Sequence, residues 1–190
     1  MTTGLIYEDV IPLRWSVVTV ALTEAQQARL HEANEEALRI IAALDEHPAE
    51  SSNEHDAVAQ ELQRLDFKLN LVLDLVGQLL SQHLVLPAPV PVRLGPNSIE
   101  WDASDAPGAG GLVNVELFLS RKYPRAITLH GRVRQVNALE GAYRVEMMFE
   151  GVSALVQESL EKFIFRHHRR RIAHARRAPG AEVREQGPLS

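Results

Sequence analysis

Val58, Leu62, Leu65, Leu69, Val72, Val76, Leu79 and His83 follow one another at alternating spacings of four and three residues. That alternation is a heptad seam, which predicts a helix whose apolar stripe must be covered by other helices. Leu73 and Leu80 lie on one shoulder of the seam and Leu75 on the other. A stripe this broad needs more cover than one partner provides, so the pattern predicts a bundle. Two sources of cover fit: an earlier helix of the same chain, or the same helix in other subunits. His83 is in register but close to the helix end, where it reads as a terminal or capping residue rather than a metal ligand.

The earlier helix is visible. Thr23 with Gln26 three residues on forms a capping box, and Leu30, Ala33, Asn34, Ala37, Leu38, Ile41 and Leu44 recur on helical spacing. The polar, proline-bearing run 45–53 then reads as a hinge between antiparallel helices. Residues 23–86 are therefore expected to form a helical hairpin and oligomerisation module. Residues 1–22, with β-branched runs on either side of Pro12, are expected as two short extended pieces packing on the body.

Pro87, Pro89 and Pro91 end the second helix and mark a boundary. Beyond them the period changes to that of strands: Val113, Val115, Leu117 and Leu119 share one face, as do Val145, Met147 and Phe149. Short antiparallel strands with Gly-bearing turns predict a small barrel over 87–176. Its closing helix should run from about Ser153 to about Ala175, burying Leu160, Phe163, Ile164 and His167. Residues 177–190 lack periodicity and are expected as a flexible tail. The fold class is α+β, a small antiparallel β-barrel plus a helical hairpin forming an oligomerisation bundle.

The 190 residues contain no cysteine, which excludes disulfides, thiol nucleophiles and Cys-ligated zinc. No HExxH pair, Gly-x-Ser-x-Gly elbow or phosphate-binding Gly motif occurs, and Gly108 to Gly111 reads as a turn. Catalytic residues, metal ligands and cofactors are not expected, and the chain does not read as an enzyme. Residues 1–83 carry five basic against fourteen acidic side chains, whereas 161–180 carry seven against one. The basic end is a solvated helix face or an anion site; Glu146, Glu150 and Glu161 interrupt any field suited to nucleic acid. The first ten residues lack a secretion signal, and Asn70, Asp74, Gln78 and Gln82 interrupt the greasy stretch 69–86. A cytoplasmic protein without a membrane span is expected.

Leu129-His-Gly-Arg-Val-Arg-Gln-Val136, Tyr143-Arg-Val-Glu-Met-Met-Phe-Glu150 and Leu160-Glu-Lys-Phe-Ile-Phe-Arg-His-His-Arg169 together resemble the closing half of a PilZ domain, over roughly residues 90–172. Tyr7 to Trp15 and Leu65 to Leu71 resemble a divergent PilZ group with a heptad-bearing helical insertion. The resemblance implies a non-enzymatic regulator that associates through its long helix as a homo-oligomer, with a tetramer favoured. It implies a protein partner in signalling or motility.

PilZ receptors hold cyclic di-GMP with an RxxxR segment and a (D/N)xSxxG segment. Here Arg93, Gly95 and Ser98 stand where the acid or amide, the serine and the glycine belong, and 84–92 contain no arginine. Cyclic di-GMP is thus a disfavoured ligand. The alternative is a divergent receptor using Arg93, Arg166, Arg169 and Arg170.

Overall fold

The computed structural model describes residues 5–20, 22–45 and 57–177, without the side chains of 57–59, 63, 81–83 and 173–177. Six strands close into an antiparallel barrel: β1 (Tyr7–Val17), β2 (Pro89–Leu94), β3 (Ser98–Ala103), β4 (Leu112–Leu117), β5 (Ile127–Leu139) and β6 (Ala142–Phe149). Around the barrel the order is β1-β2-β3-β6-β5-β4. Closure leaves no free sheet edge to template aggregation. Three helices accompany it: α1 (Glu24–Asp45), α2 (Ala57–His83) and α3 (Ala154–Arg177).

Alternation along the strands fills the barrel as the sequence predicts. Val113, Val115 and Leu117 point inward from β4, Val133 from β5, and Val145 and Met147 from β6, all essentially inaccessible to water. Phe149 differs, being half-buried at the barrel's margin. Gly131 sits where β5 and β6 approach closely: a Cβ there would run into the Met148 carbonyl oxygen.

β1 corrects the expected boundaries. It is one continuous strand rather than two pieces, and it is part of the barrel wall rather than a segment laid on it. Pro12 does not break it because the strand changes partners there. Tyr7 to Pro12 pair with β2, and Leu13 to Val17 pair with β4. The missing Pro12 N–H therefore falls at the switch point, while its carbonyl still accepts from Phe118 N at 3.1 Å.

The capping box forms: Thr23 N donates to Gln26 Oε1 at 2.9 Å and Gln26 N donates to Thr23 Oγ1 at 3.3 Å. The buried face of α1, Asn34, Ala37, Leu38 and Ile41, packs on α3 and β5. Asn34 behaves like a short piece of strand. Its Nδ2 donates to Thr128 O at 2.7 Å, and Thr128 N donates to its Oδ1 at 3.0 Å. Ser153 caps α3, with Val156 N donating to its Oγ at 3.1 Å, and Leu160, Phe163 and Ile164 complete the core. The body thus comprises the barrel, α1 and α3. Within one chain, α1 makes its contacts with α3 and β5. The hinge over 46–53 and the expected tail beyond Arg177 lie outside the described residues.

Candidate functional site

α2 is apolar and uncovered. Leu62, Leu65, Leu69, Val72, Val76 and Leu79 are between 47% and 61% exposed, and Leu73, Leu75 and Leu80 beside them are also exposed. Val58 lies on the same helix, but its side chain is outside the described residues. Since α1 spends its apolar face on α3 and β5, it does not supply the cover that the seam needs.

The body holds α2 from behind. Asp74 Oδ1 accepts an ion pair from Lys122 Nζ at 3.3 Å. Gly77 is buried against the segment that follows β4, where an added Cβ would meet Lys122 O at 3.0 Å and Arg121 O at 3.3 Å. On a helical wheel at 100° per residue, positions 74 and 77 lie about 170° and 130° from the centre of the seam. The contact with the body therefore directs the seam outward.

The arginines proposed from sequence as a nucleotide site are dispersed. Arg93, on the outer face of β2, lies between Glu8 at 3.2 Å and Glu100 at 3.1 Å. Glu8 also accepts from Arg171 at 3.0 Å, and these two arginines hold its carboxyl below the ordinary glutamate range. Arg170 instead meets Asp45 at the end of α1, at 3.6 Å, and donates to the Asp45 carbonyl. His167 Nε2 approaches the same carboxylate at 3.4 Å. Burial acts to raise the Asp45 pKa, but His167, Arg170 and Arg166 together hold it below its usual value. Arg169 is elsewhere, with its guanidinium 5.8 Å from the centre of the Phe165 ring.

The contacts divide between two carboxylates, Glu8 and Asp45, while Glu8, Arg170 and Arg171 line one groove of about 260 Å³ together with His167 and His168. A groove of about 400 Å³ runs past Arg93, Arg144 and Arg171, but Glu8, Glu100 and Asp102 line it as well. Arg144 is engaged by Asp102 at 2.8 Å. The sequence reading missed Arg171 and Arg144, since only the barrel register brings Glu8, Arg93 and the end of α3 together. The segment Leu94 to Ser98, where the receptor motif was sought, is the β2–β3 turn, closed by Gly95 N donating to Ser98 O at 2.9 Å. Among the described residues, no three His, Asp or Glu side chains gather as a metal site.

Comparison with known proteins settles the family. Residues 38–177 match the family described as "Atypical PilZ domain, cyclic di-GMP receptor". The chain is an atypical PilZ protein. A solved structure from Xanthomonas campestris, described as a tetrameric PilZ domain self-assembled through an unusual helical bundle, shares its fold with a TM-score of 0.67. That protein is 23% identical over 90% of this chain and 92% of its own. The Bacillus subtilis inhibitor of motility overlaps less, with a TM-score of 0.37 and 14% identity over 43% of this chain and 42% of its own. No curated protein matches the chain. The PilZ family consists of regulatory receptor modules rather than catalysts. Its match also reaches upstream of the 90–172 span in which the resemblance was read, through part of α1 and all of α2.

Proposed function

We propose that this PilZ protein is a self-assembling cytoplasmic adaptor, a homotetramer built on α2 that acts in cyclic di-GMP-related signalling through contacts with another signalling or motility protein. The observation that carries it is the bare seam of Leu62, Leu65, Leu69, Val72, Val76 and Leu79 on a helix whose opposite side is fastened to its own body. Fully burying such a side chain is worth about 1.5–3 kcal/mol, so association gains enough to offset its entropic cost. The Xanthomonas protein of the same fold is described as assembling through a helical bundle, which supports the tetramer. Among the described residues no helix is long and apolar enough to cross a membrane.

A second reading rests on the family's description as a cyclic di-GMP receptor. It would use Arg93, Arg166, Arg169 and Arg170, and it is the weaker reading because carboxylates already engage Arg93 and Arg170. Two measurements separate the readings. Replacing Leu69 and Val76 together with Asp should reduce the sedimenting mass, and an unchanged mass would sink the adaptor assembly. Calorimetric titration with cyclic di-GMP to about 100 μM at near-physiological salt should show no saturation. Saturation near 1 μM that is lost in Arg166→Ala/Arg170→Ala would make the protein a divergent receptor.

A further inference from the structure

The outer face of α3 carries a pattern that neither the α2 seam nor the barrel core uses. Glu161, Phe165 and Arg169 stand four residues apart, so they follow one another along one side of the helix over about 12 Å. All three are exposed, Phe165 by 48%, whereas Ile164 beside them is buried. Phe165 and Ile164 line an open groove of about 430 Å³, whose other apolar walls are Leu5, just before β1, and Pro96 in the β2–β3 turn. The Arg169 guanidinium lies 5.8 Å from the centre of the Phe165 ring, within the range of a cation–π contact.

Charge on this face is divided between its two ends. Other cations of α3 are engaged within the protomer: Arg170 by Asp45, Arg171 by Glu8, and Lys162 by Glu158 at 2.7 Å. Among the described residues, neither Glu161 nor Arg169 has an ion-pair partner. An open carboxylate therefore marks one end of the face and an open guanidinium the other, with an apolar groove and an exposed ring between them.

We propose that this face docks an amphipathic helix of a partner protein, antiparallel to α3, with an acid, an apolar anchor and a base at every fourth position. The inference rests on the adaptor reading above and names the kind of partner. The anchor enters the groove beside Phe165, the acid meets Arg169 and the base meets Glu161. An antiparallel partner then carries its acid first and its base last, the order that its own macrodipole favours. Glu161, with Glu158 a turn before it, repels a nucleotide, a nucleic acid or an anionic lipid surface, so the face selects a peptide of mixed charge. α3 has the same charge order itself, which makes a second copy the rival occupant. Leu5, Pro96 and Phe165 supply far less surface than the roughly 20–30 residues a side of a stable protein interface, so the face suits one short segment rather than a folded copy.

Two fluorescent helix-forming peptides that differ only in charge order, Glu-x-x-x-Leu-x-x-x-Lys and Lys-x-x-x-Leu-x-x-x-Glu, test this against the full chain. Binding is read by anisotropy at low salt, where exposed ion pairs are least screened. The first peptide should bind several-fold more tightly. Glu161→Lys/Arg169→Glu should reverse that preference, because both pairs re-form with opposite sign. Equal binding of the two peptides, or a preference that the double variant leaves in place, would overturn the proposal.

Phe165→Ala gives a second reading. It should weaken the first peptide about tenfold or more, and unchanged affinity would overturn the groove as the anchor site. The sedimenting mass of this variant should equal that of the unmodified protein; a lower mass would assign the face to a second copy and overturn the partner. A monomeric unmodified protein that still discriminates the two peptides would remove the assembly and leave this face standing, so the two failures are distinguishable.

Discussion

Lys122 Nζ lies 3.3 Å from Asp74 Oδ1, on the face of α2 opposite the heptad seam. The pair and the buried Gly77 beside it connect a barrel to a helix that otherwise makes little contact with the body. Both partners of the ion pair are partly exposed, so it is worth no more than about 1 kcal/mol. Gly77 should matter more. Gly77→Val puts two further carbons where a Cβ already meets the Lys122 carbonyl oxygen at 3.0 Å, and backbone cannot yield as a side chain can. The expected outcome is faster amide exchange across 120–124 with barrel exchange unchanged; unaltered exchange there would count against this contact as the joint.

Phe163 and Phe149 should separate cleanly. Phe163 is fully buried where α3 meets the barrel, edge-on to Tyr7 at 5.1 Å between ring centres, whereas Phe149 is half-buried. Phe163→Ala should cost about 3–5 kcal/mol in urea unfolding and Phe149→Ala clearly less. Equal losses would contradict the packing described.

Asn34 offers a test of how α1 is bound. Asn34→Leu keeps the bulk but leaves both Thr128 N and Thr128 O without the partners seen at 3.0 and 2.7 Å. A loss of about 1–3 kcal/mol is expected, measurable by chemical denaturation, and a neutral effect would mean that the two bonds contribute nothing net.

Acid should weaken the contact between α1 and α3. Burial raises the Asp45 pKa, but His167, Arg170 and Arg166 outweigh it, so the folded value lies below the ordinary 3.8. The unfolded chain therefore binds this proton more readily. The contribution is complete above about pH 4, where the unfolded carboxyl is ionised, and is lost as pH falls through the depressed folded value. Asp45→Asn should lower stability at neutral pH and flatten the acid limb of the pH–stability curve; a limb of unchanged slope would remove Asp45 from the account.

Much of this architecture was legible in sequence because its signals are local. The Thr23–Gln26 box, the alternation of β4 and β6 and the heptads of α2 each depend on neighbours within a turn or along one strand. What was not legible depends on pairing between distant segments. Pro12 reads in sequence as a strand break because nothing in its surroundings reveals that β1 changes partners at that residue. Helix spacing showed that α1 buries one face, but not that the face meets Thr128 and α3 instead of α2. Arg166, Arg169 and Arg170 are neighbours in one stretch of sequence, and Arg93 stands where the receptor motif belongs, so chain position alone groups them. The barrel register instead joins Arg93 to Arg171 through Glu8 and leaves Arg170 with Asp45.

Sedimentation equilibrium of the unmodified protein over a range from sub-micromolar to tens of micromolar addresses the central claim. A seam of six exposed Leu and Val residues requires partners, so the mass should be four times the 21.2 kDa chain at micromolar concentration and fall only on dilution. A single 21.2 kDa species across the whole range would show that the α2 seam is not an assembly face.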